Sequence, residues 1–314
     1  MKIVLLESLA VSDQVLNQYA EELRKAGHEF EAYERDMDPA VQIQRAKDAD
    51  VIMIANMPLK GEVIRACEKL KYINIAFTGV DHVDLEACKE KGIQVSNASG
   101  YSNQSVSELA VCMMLSLLRN VPAVDARCRE GKTKDGLVGC ELSGKTVGIV
   151  GLGAIGQKTA ALCHAFGCRV IAYNHRPKEA PEYIEQLSLD EVLKQSDILS
   201  LHCPLNDSTR GLVGAKEIAQ MKETAYLINT ARGPVVDSQA LADALNSGKI
   251  AGAGIDVFET EPPLNTDHPL LSAKNTIVTP HVAFATKESM MLRAEIVFDT
   301  LHAWLNGERK NVIL

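Results

Sequence analysis

The chain has 314 residues, 46% of them apolar and 24% charged, with a formal net charge of −8. That length suits two domains better than one. The acidic balance argues against broad nucleic-acid binding, and no run of about eighteen apolar residues is available to span a membrane. The eight cysteines (Cys67, Cys88, Cys112, Cys128, Cys140, Cys163, Cys168 and Cys203) form no C-x-x-C pair. They read as reduced, mostly buried thiols of a cytoplasmic protein, with no metal site among them.

The first apolar run, Lys2–Leu6, reads as a strand; it is too short and too soon acidic for a leader segment. A helix over Ser12–Ala26 stops at Gly27. Strands follow at Val51–Ala55 and Ile73–Ala76, then a helix over Leu85–Lys91 closed by Gly92 and a strand over Ile93–Asn97. This alternation predicts an α/β fold with a parallel sheet. Residues 97–103 are rich in Gly, Ser and Asn and read as a hinge. A long apolar helix, Ser105–Arg119, comes next.

After Gly144 and Lys145 the alternation restarts. Strands are expected at 146–150, 169–173, Ile198–Leu201, Ala225–Ile228, Gly254–Val257 and Thr276–Thr279. Ser188 and Glu191 have the spacing of a capping box, and another helix covers Ser238–Leu245. Six strands fit a doubly wound dinucleotide domain. The last helix, Lys287–Leu305, lies beyond it, so both termini are expected to build one domain. The boundaries expected are 1–99 with 287–314 for the substrate-binding domain, and 100–286 for the dinucleotide domain.

The strand at 146–150 breaks into Gly151-x-Gly153-x-x-Gly156, and a helix over Ile155–Phe166 follows. In that context G-x-G-x-x-G is a dinucleotide fingerprint. The first glycine permits a tight turn, the second lets a pyrophosphate reach the backbone, and the third lets helix and strand pack closely. Amides near Gly151, Gly153, Ala154, Ile155 and Gly156 would face the phosphates.

In a doubly wound sheet, ligands lie beyond the carboxyl ends of the strands. Four groups follow strands: His202-Cys203-Pro204; Asn229-Thr230-Ala231-Arg232-Gly233; Asp256 with Glu259 and Glu261; and His281. Arg232 suits bidentate capture of a carboxylate. His281 can pass a proton near neutral pH. Glu261 can orient an imidazole and favour its charged form. Taken singly, each has an ordinary reading as a surface ion pair, a structural histidine or a solvated loop acid. Taken together they form an anion clamp, a proton donor and an orienter, as a 2-keto acid reductase requires. His202 is read as lining the cofactor cleft.

The chain resembles the D-isomer-specific 2-hydroxyacid dehydrogenases over nearly its whole length. The segments that carry the likeness are Thr78 to Leu85, Gly100 to Glu108, Leu142 to Gly156, His202 to Leu205, Asn229 to Gly233, Ala253 to Phe258, Glu261-Pro262 and Thr279 to His281. The resemblance implies two Rossmann-like parallel-sheet domains, the smaller one built from both termini and closing on the other about 97–105 and 282–288. It implies that Arg232 binds the substrate carboxylate, that His281 is the acid/base and that Glu261 is its partner. Asn56, Thr78 and Gly79 are expected on the substrate. Ser105, His202, Cys203, Pro204, Thr209, Thr230, Ala231, Asp256 and Ala283 are expected on the cofactor, with Arg232 and His281 reaching it too. Homodimers are usual, with the helix after Ser105 central to the interface.

Asn56 to Leu59, Gly100 to Ser102 and His281 to Thr286 look most like glycerate dehydrogenase/hydroxypyruvate reductase members. These imply hydroxypyruvate/D-glycerate or glyoxylate/glycolate as the substrate pair. Phe284 stands where that subgroup often has Trp. A D-lactate or branched-chain 2-keto acid dehydrogenase is the nearer alternative, and a dinucleotide-sensing corepressor the more distant one. NAD-preferring members end the second strand with Asp. Here Asn174, His175 and Arg176 follow Tyr173. Asn does not repel a 2′-phosphate and Arg176 is able to pair with one, which favours NADP, or use of both cofactors, over strict NAD.

Overall fold

The computed structural model describes residues 1–260 and 263–314. The chain divides into two compact units, residues 1–102 with 285–314 and residues 103–284. Among the described residues no single helix is long and apolar enough to cross a membrane.

The first unit is built on five parallel strands, β1 (Lys2–Leu5), β2 (Glu29–Ala32), β3 (Val51–Ile54), β4 (Tyr72–Ile75) and β5 (Gln94–Asn97), in the order β2-β1-β3-β4-β5. Every residue of β3 and β4 is buried. Helices therefore cover both faces, which is why these strands read as unbroken apolar runs without alternation. The helix Asp13–Lys25 starts where Ser12 accepts the amide of Val15. The helix Leu85–Lys91 starts at Asp84, which accepts from Ala87, and stops at left-handed Gly92. The last helix, Lys287–Leu305, completes this unit. Asn74 Nδ2 donates to the Val297 carbonyl at 2.8 Å, Tyr72 stacks on Trp304 at 4.6 Å and Tyr19 on Phe298 at 4.2 Å.

The second unit has seven parallel strands: β6 (Thr146–Val150), β7 (Arg169–Tyr173), β8 (Ile184–Gln186), β9 (Ile198–Leu201), β10 (Tyr226–Asn229), β11 (Gly252–Ile255) and β12 (Thr276–Val278). Their order is β12-β11-β10-β9-β6-β7-β8. The chain runs outward in one direction through β6, β7 and β8, then returns to β9 beside β6. That reversal makes the gap between β6 and β9 the switch point at which such sheets bind ligands. The long helix Asn103–Leu118 contributes Ala110, Met113, Met114 and Leu117 to a core shared with Val147, Ile149, Ala160, Cys163 and Ile228.

The α/β fold and the parallel sheets agree with the sequence. Two edge strands did not announce themselves. β2, Glu-Phe-Glu-Ala, buries only Phe30, and β8 buries only Ile184, so neither carries an apolar run. The second sheet thus has seven strands where the sequence suggests six. Five cysteines are buried, while Cys112, Cys128 and Cys140 are exposed, and all eight are free thiols.

Candidate active site

The three glycines of the fingerprint differ in what surrounds them. Gly151 has φ +99°, and a Cβ there would lie 2.8 Å from the His202 carbonyl group and the Cys203 amide nitrogen. Only glycine fits that turn, where β6 ends against the chain leaving β9. A Cβ on Gly156 would lie 2.0 Å from the Gly151 carbonyl oxygen. A Cβ on Gly153 would meet no protein atom within 4 Å. Gly153 is the N-cap of the helix Ala154–Ala165, and no side chain caps that end. Bare backbone, an uncapped helix start and an approach open to a ligand suit a dinucleotide pyrophosphate. Asn174, after β7, holds this loop. Its Oδ1 accepts the Leu152 amide at 3.0 Å and its Nδ2 donates to the Arg176 carbonyl at 2.6 Å. His175 and Arg176 are exposed.

Beyond β9, Nε2 of His202 lies 2.9 Å from Ser200 Oγ. Its Nδ1 is shielded from water and has no hydrogen-bond partner among the described residues. Burial pulls this imidazole down to a pKa of about 4, so it is neutral at pH 7. Burial also pushes the Cys203 thiol up to about 11, far from a reactive thiolate. Thr209 ties the following loop, donating to the Pro204 carbonyl at 2.6 Å and accepting the Asn206 amide at 2.9 Å.

Arg232 projects from a turn that Asn229 builds at the end of β10. The Asn229 side chain accepts the Ala231 amide at 3.0 Å and donates to the Arg232 carbonyl at 3.0 Å. Arg232 Nη1 donates to the Ala231 carbonyl at 2.8 Å. A Cβ on Gly233 would lie 1.9 Å from the carbonyl carbon of Phe258, so this turn rests directly on the backbone that follows β11. Thr230, in the same turn, keeps a buried hydroxyl without a hydrogen-bond partner among the described residues. Arg232 follows β10 and His281 follows β12, so both lie on the carboxyl edge of one sheet, two strands apart.

His281 occupies a left-handed backbone conformation, φ +54°, and its ring meets Phe284 edge-on at 5.3 Å. The buried Asp256 holds this loop. Its carboxylate accepts from Thr279 Oγ1 at 2.5 Å, the Val282 amide at 2.9 Å and the Ala283 amide at 2.9 Å. Ser105 Oγ donates to the Phe284 carbonyl at 3.5 Å. Glu261 lies outside the described residues.

In the first unit, Asn56 follows β3. Its Oδ1 accepts from Arg35 at 3.3 Å. Glu7, just past β1, fixes the same loop by accepting the amides of Ala55 at 3.0 Å and Met57 at 2.8 Å. Thr78 and Gly79 follow β4. The Thr78 carbonyl accepts from Asn97 Nδ2 at 2.7 Å, and the Thr78 hydroxyl is buried without a hydrogen-bond partner among the described residues. Sequence reasoning did not single out Glu7, Thr279 or the scaffold role of Asn229. The available signal was a polar side chain directly after an apolar strand.

A family model described as the NAD-binding domain of D-isomer-specific 2-hydroxyacid dehydrogenases matches residues 111–283. A hydroxypyruvate reductase from Blautia hydrogenotrophica is 39% identical over 280 residues, covering 86% of this chain and 87% of the relative. Among solved structures, an acyclic imino acid reductase in complex with NADPH and D-Arg superposes with a TM-score of 0.91 at 30% identity, over 100% of both chains. A D-lactate dehydrogenase from Aquifex aeolicus complexed with NAD and lactic acid gives 0.87 at 32%, over 98% of this chain and 96% of that one. The chain therefore belongs to the D-isomer-specific 2-hydroxyacid dehydrogenase family and is an NAD(P)-dependent oxidoreductase of 2-hydroxy acids.

Proposed function

We propose that the chain interconverts a small 2-keto acid, hydroxypyruvate or glyoxylate, with its 2-hydroxy acid. The observation that carries this reading is that Arg232 and His281 are each fixed by a dedicated scaffold on the carboxyl edge of the sheet that bears the glycine fingerprint. The guanidinium of Arg232 clamps the substrate carboxylate, which holds C2 still. His281 gives a proton to the keto oxygen during reduction and takes it back during oxidation. Glu261 is its orienting partner, inferred from the Glu-Pro motif. Asn56, Thr78 and Gly79 are the further substrate contacts that the family resemblance implies. A bound nicotinamide dinucleotide supplies or accepts the hydride. The relative named hydroxypyruvate reductase supports the substrate choice.

NADPH is the preferred cofactor in this reading, with NADH also accepted. Asn174 places an uncharged amide where an acid would repel a 2′-phosphate, and the exposed Arg176 next to it can pair with that phosphate. The neighbour solved with NADPH is consistent with this. We also propose a homodimer. The helix Val121–Arg129 buries no side chain within its own chain, and Val138 beyond it is 77% exposed. Free thiols throughout fit a cytoplasmic setting.

The test is initial rates with hydroxypyruvate, glyoxylate, pyruvate and 2-ketoisocaproate, each with NADH and with NADPH. Hydroxypyruvate or glyoxylate should give the highest kcat/KM, and NADPH should be at least as good as NADH. A clear win for pyruvate or 2-ketoisocaproate would overturn the substrate choice. Turnover with NADH alone would overturn the cofactor preference.

A further inference from the structure

We propose that Glu259 and His268 are positioning residues for Arg232: together they brace the backbone on which the Arg232 turn rests, and so set how tightly the substrate carboxylate is captured. This rests on Arg232 being the carboxylate clamp of the proposed reaction. That reading gives neither Glu259 nor His268 a part.

Gly233, directly after Arg232, packs against the Phe258 backbone with no room for a Cβ. The chain then makes one turn of 3₁₀ helix, Gly233–Val235, and enters the helix Ser238–Ser247 at its N-cap, Asp237. Phe258 and Glu259 are consecutive residues after β11, and they meet the two ends of that stretch. The Phe258 backbone supports Gly233, and the Glu259 carboxylate accepts a hydrogen bond from the Ser238 hydroxyl. His268 ties the two together. Its ring meets the Phe258 ring edge-on at 5.1 Å, and its Nε2 lies 3.0 Å from a Glu259 carboxylate oxygen. Its Nδ1 accepts the Leu270 amide at 3.3 Å. A ring nitrogen that accepts an N–H carries the lone pair, so the hydrogen of the neutral ring is on Nε2 and is donated to Glu259. Each nitrogen has one role, and the ring has one orientation. Burial alone would raise the Glu259 carboxyl, yet hydrogen bonds from Ser238 and His268 hold it below the usual carboxylate range. The Glu259 side chain is 42% exposed, and contacts that open to water contribute little to stability. What this one supplies is direction. A small rotation at residues 258 and 259 moves the backbone beneath Gly233, and a displacement on the order of 1 Å at a group that holds substrate costs as much as about 100-fold in rate.

Kinetics are to be read on the full chain with hydroxypyruvate at saturating cofactor, and NADH binding by fluorescence titration. Glu259→Ala should raise the KM for hydroxypyruvate about 10-fold, while kcat and the NADH dissociation constant each change less than about 3-fold. Two substitutions of His268 separate the brace from simple capping of the helix Pro269–Ser272. His268→Gln places an amide nitrogen near the Nε2 position and keeps the bond to Glu259. His268→Asn places an amide oxygen near the Nδ1 position and keeps the cap on Leu270. The brace requires a KM close to wild type in His268→Gln and one raised about 10-fold in His268→Asn. The reverse order, or equal values, would make His268 a helix cap alone and overturn the proposal. If Glu259→Ala fails to fold, the His268 pair decides. Glu261 lies between the two residues in sequence, so an effect passed to His281 has its own signature: a lower kcat and a displaced pH profile at unchanged KM. That outcome would overturn the proposal, as would weaker NADH binding at unchanged KM. Normal KM in these variants beside a large rise in Arg232→Ala would overturn the brace alone. An unchanged KM in Arg232→Ala would overturn the carboxylate clamp as well.

Discussion

Each unit ends its sheet with a buried acid that staples a loop, and the two acids are neutralised differently. In the first unit Glu7, 5% exposed, accepts the amides of Ala55 and Met57 and meets Arg35 at 3.1 Å. The Arg35 side chain is 38% exposed. In the second unit, among the described residues, the Asp256 carboxylate is met by neutral donors from the loop that follows β12. The first staple is open to solvent and ions, so the loop bearing Asn56 can be loosened from outside. The second is sealed, as suits the role proposed for His281, which needs one direction through every turnover.

The strongest challenge to that contrast is Gly233→Ala. The second edge is rigid if the Arg232 turn rests on the Phe258 backbone, where a Cβ has no room. The variant should lose on the order of 3 kcal/mol of stability by overpacking and about 100-fold in kcat/KM. An unchanged melting temperature would show that the turn yields, and the rigidity argument would go with it.

Acid should find the second unit next. His202 has a folded pKa of about 4 against about 6.5 unfolded. Between those values the unfolded chain binds a proton that the folded chain refuses, so stability drops as pH falls from about 6.5 to about 4. The loss is at most about 3 kcal/mol, and the contribution is complete above pH 6.5. Denaturant titrations of wild type and His202→Asn across that range should diverge in slope. Parallel curves would show that His202 is not the sensor.

Glu7→Gln should have a milder effect, about 1–2 kcal/mol, with a raised KM for the keto acid and an unchanged NADH dissociation constant. Weaker NADH binding in this variant would erase the division of labour between the two edges. The smallest change expected is from Asn174→Asp, which should move the NADPH/NADH preference towards NADH by about 10-fold in kcat/KM. A ratio that stays put would mean that position 174 only holds Leu152 and the Gly loop.

Much of this was legible in the sequence because it is local. The fingerprint glycines, the Ser188–Glu191 capping box and the position of His281 after a strand all depend on neighbours a few residues apart. What escaped depends on distant partners. Asp256 meets Thr279 and Ala283 across 23 and 27 positions, and Glu7 meets Ala55 and Met57 across 48 and 50. No periodicity records such pairings. β2 and β8 escaped because edge strands bury one face at most and need little apolar sequence.

The amides of residues 281–283 converge on a single acid, as the amides of an anion-binding nest converge on a phosphate or halide. Here the anion is part of the chain. Its local concentration cannot be diluted and it cannot be exchanged for chloride or sulfate. The loop that carries His281, the proposed proton donor, should therefore keep its shape across salt conditions that weaken the Arg35–Glu7 pair.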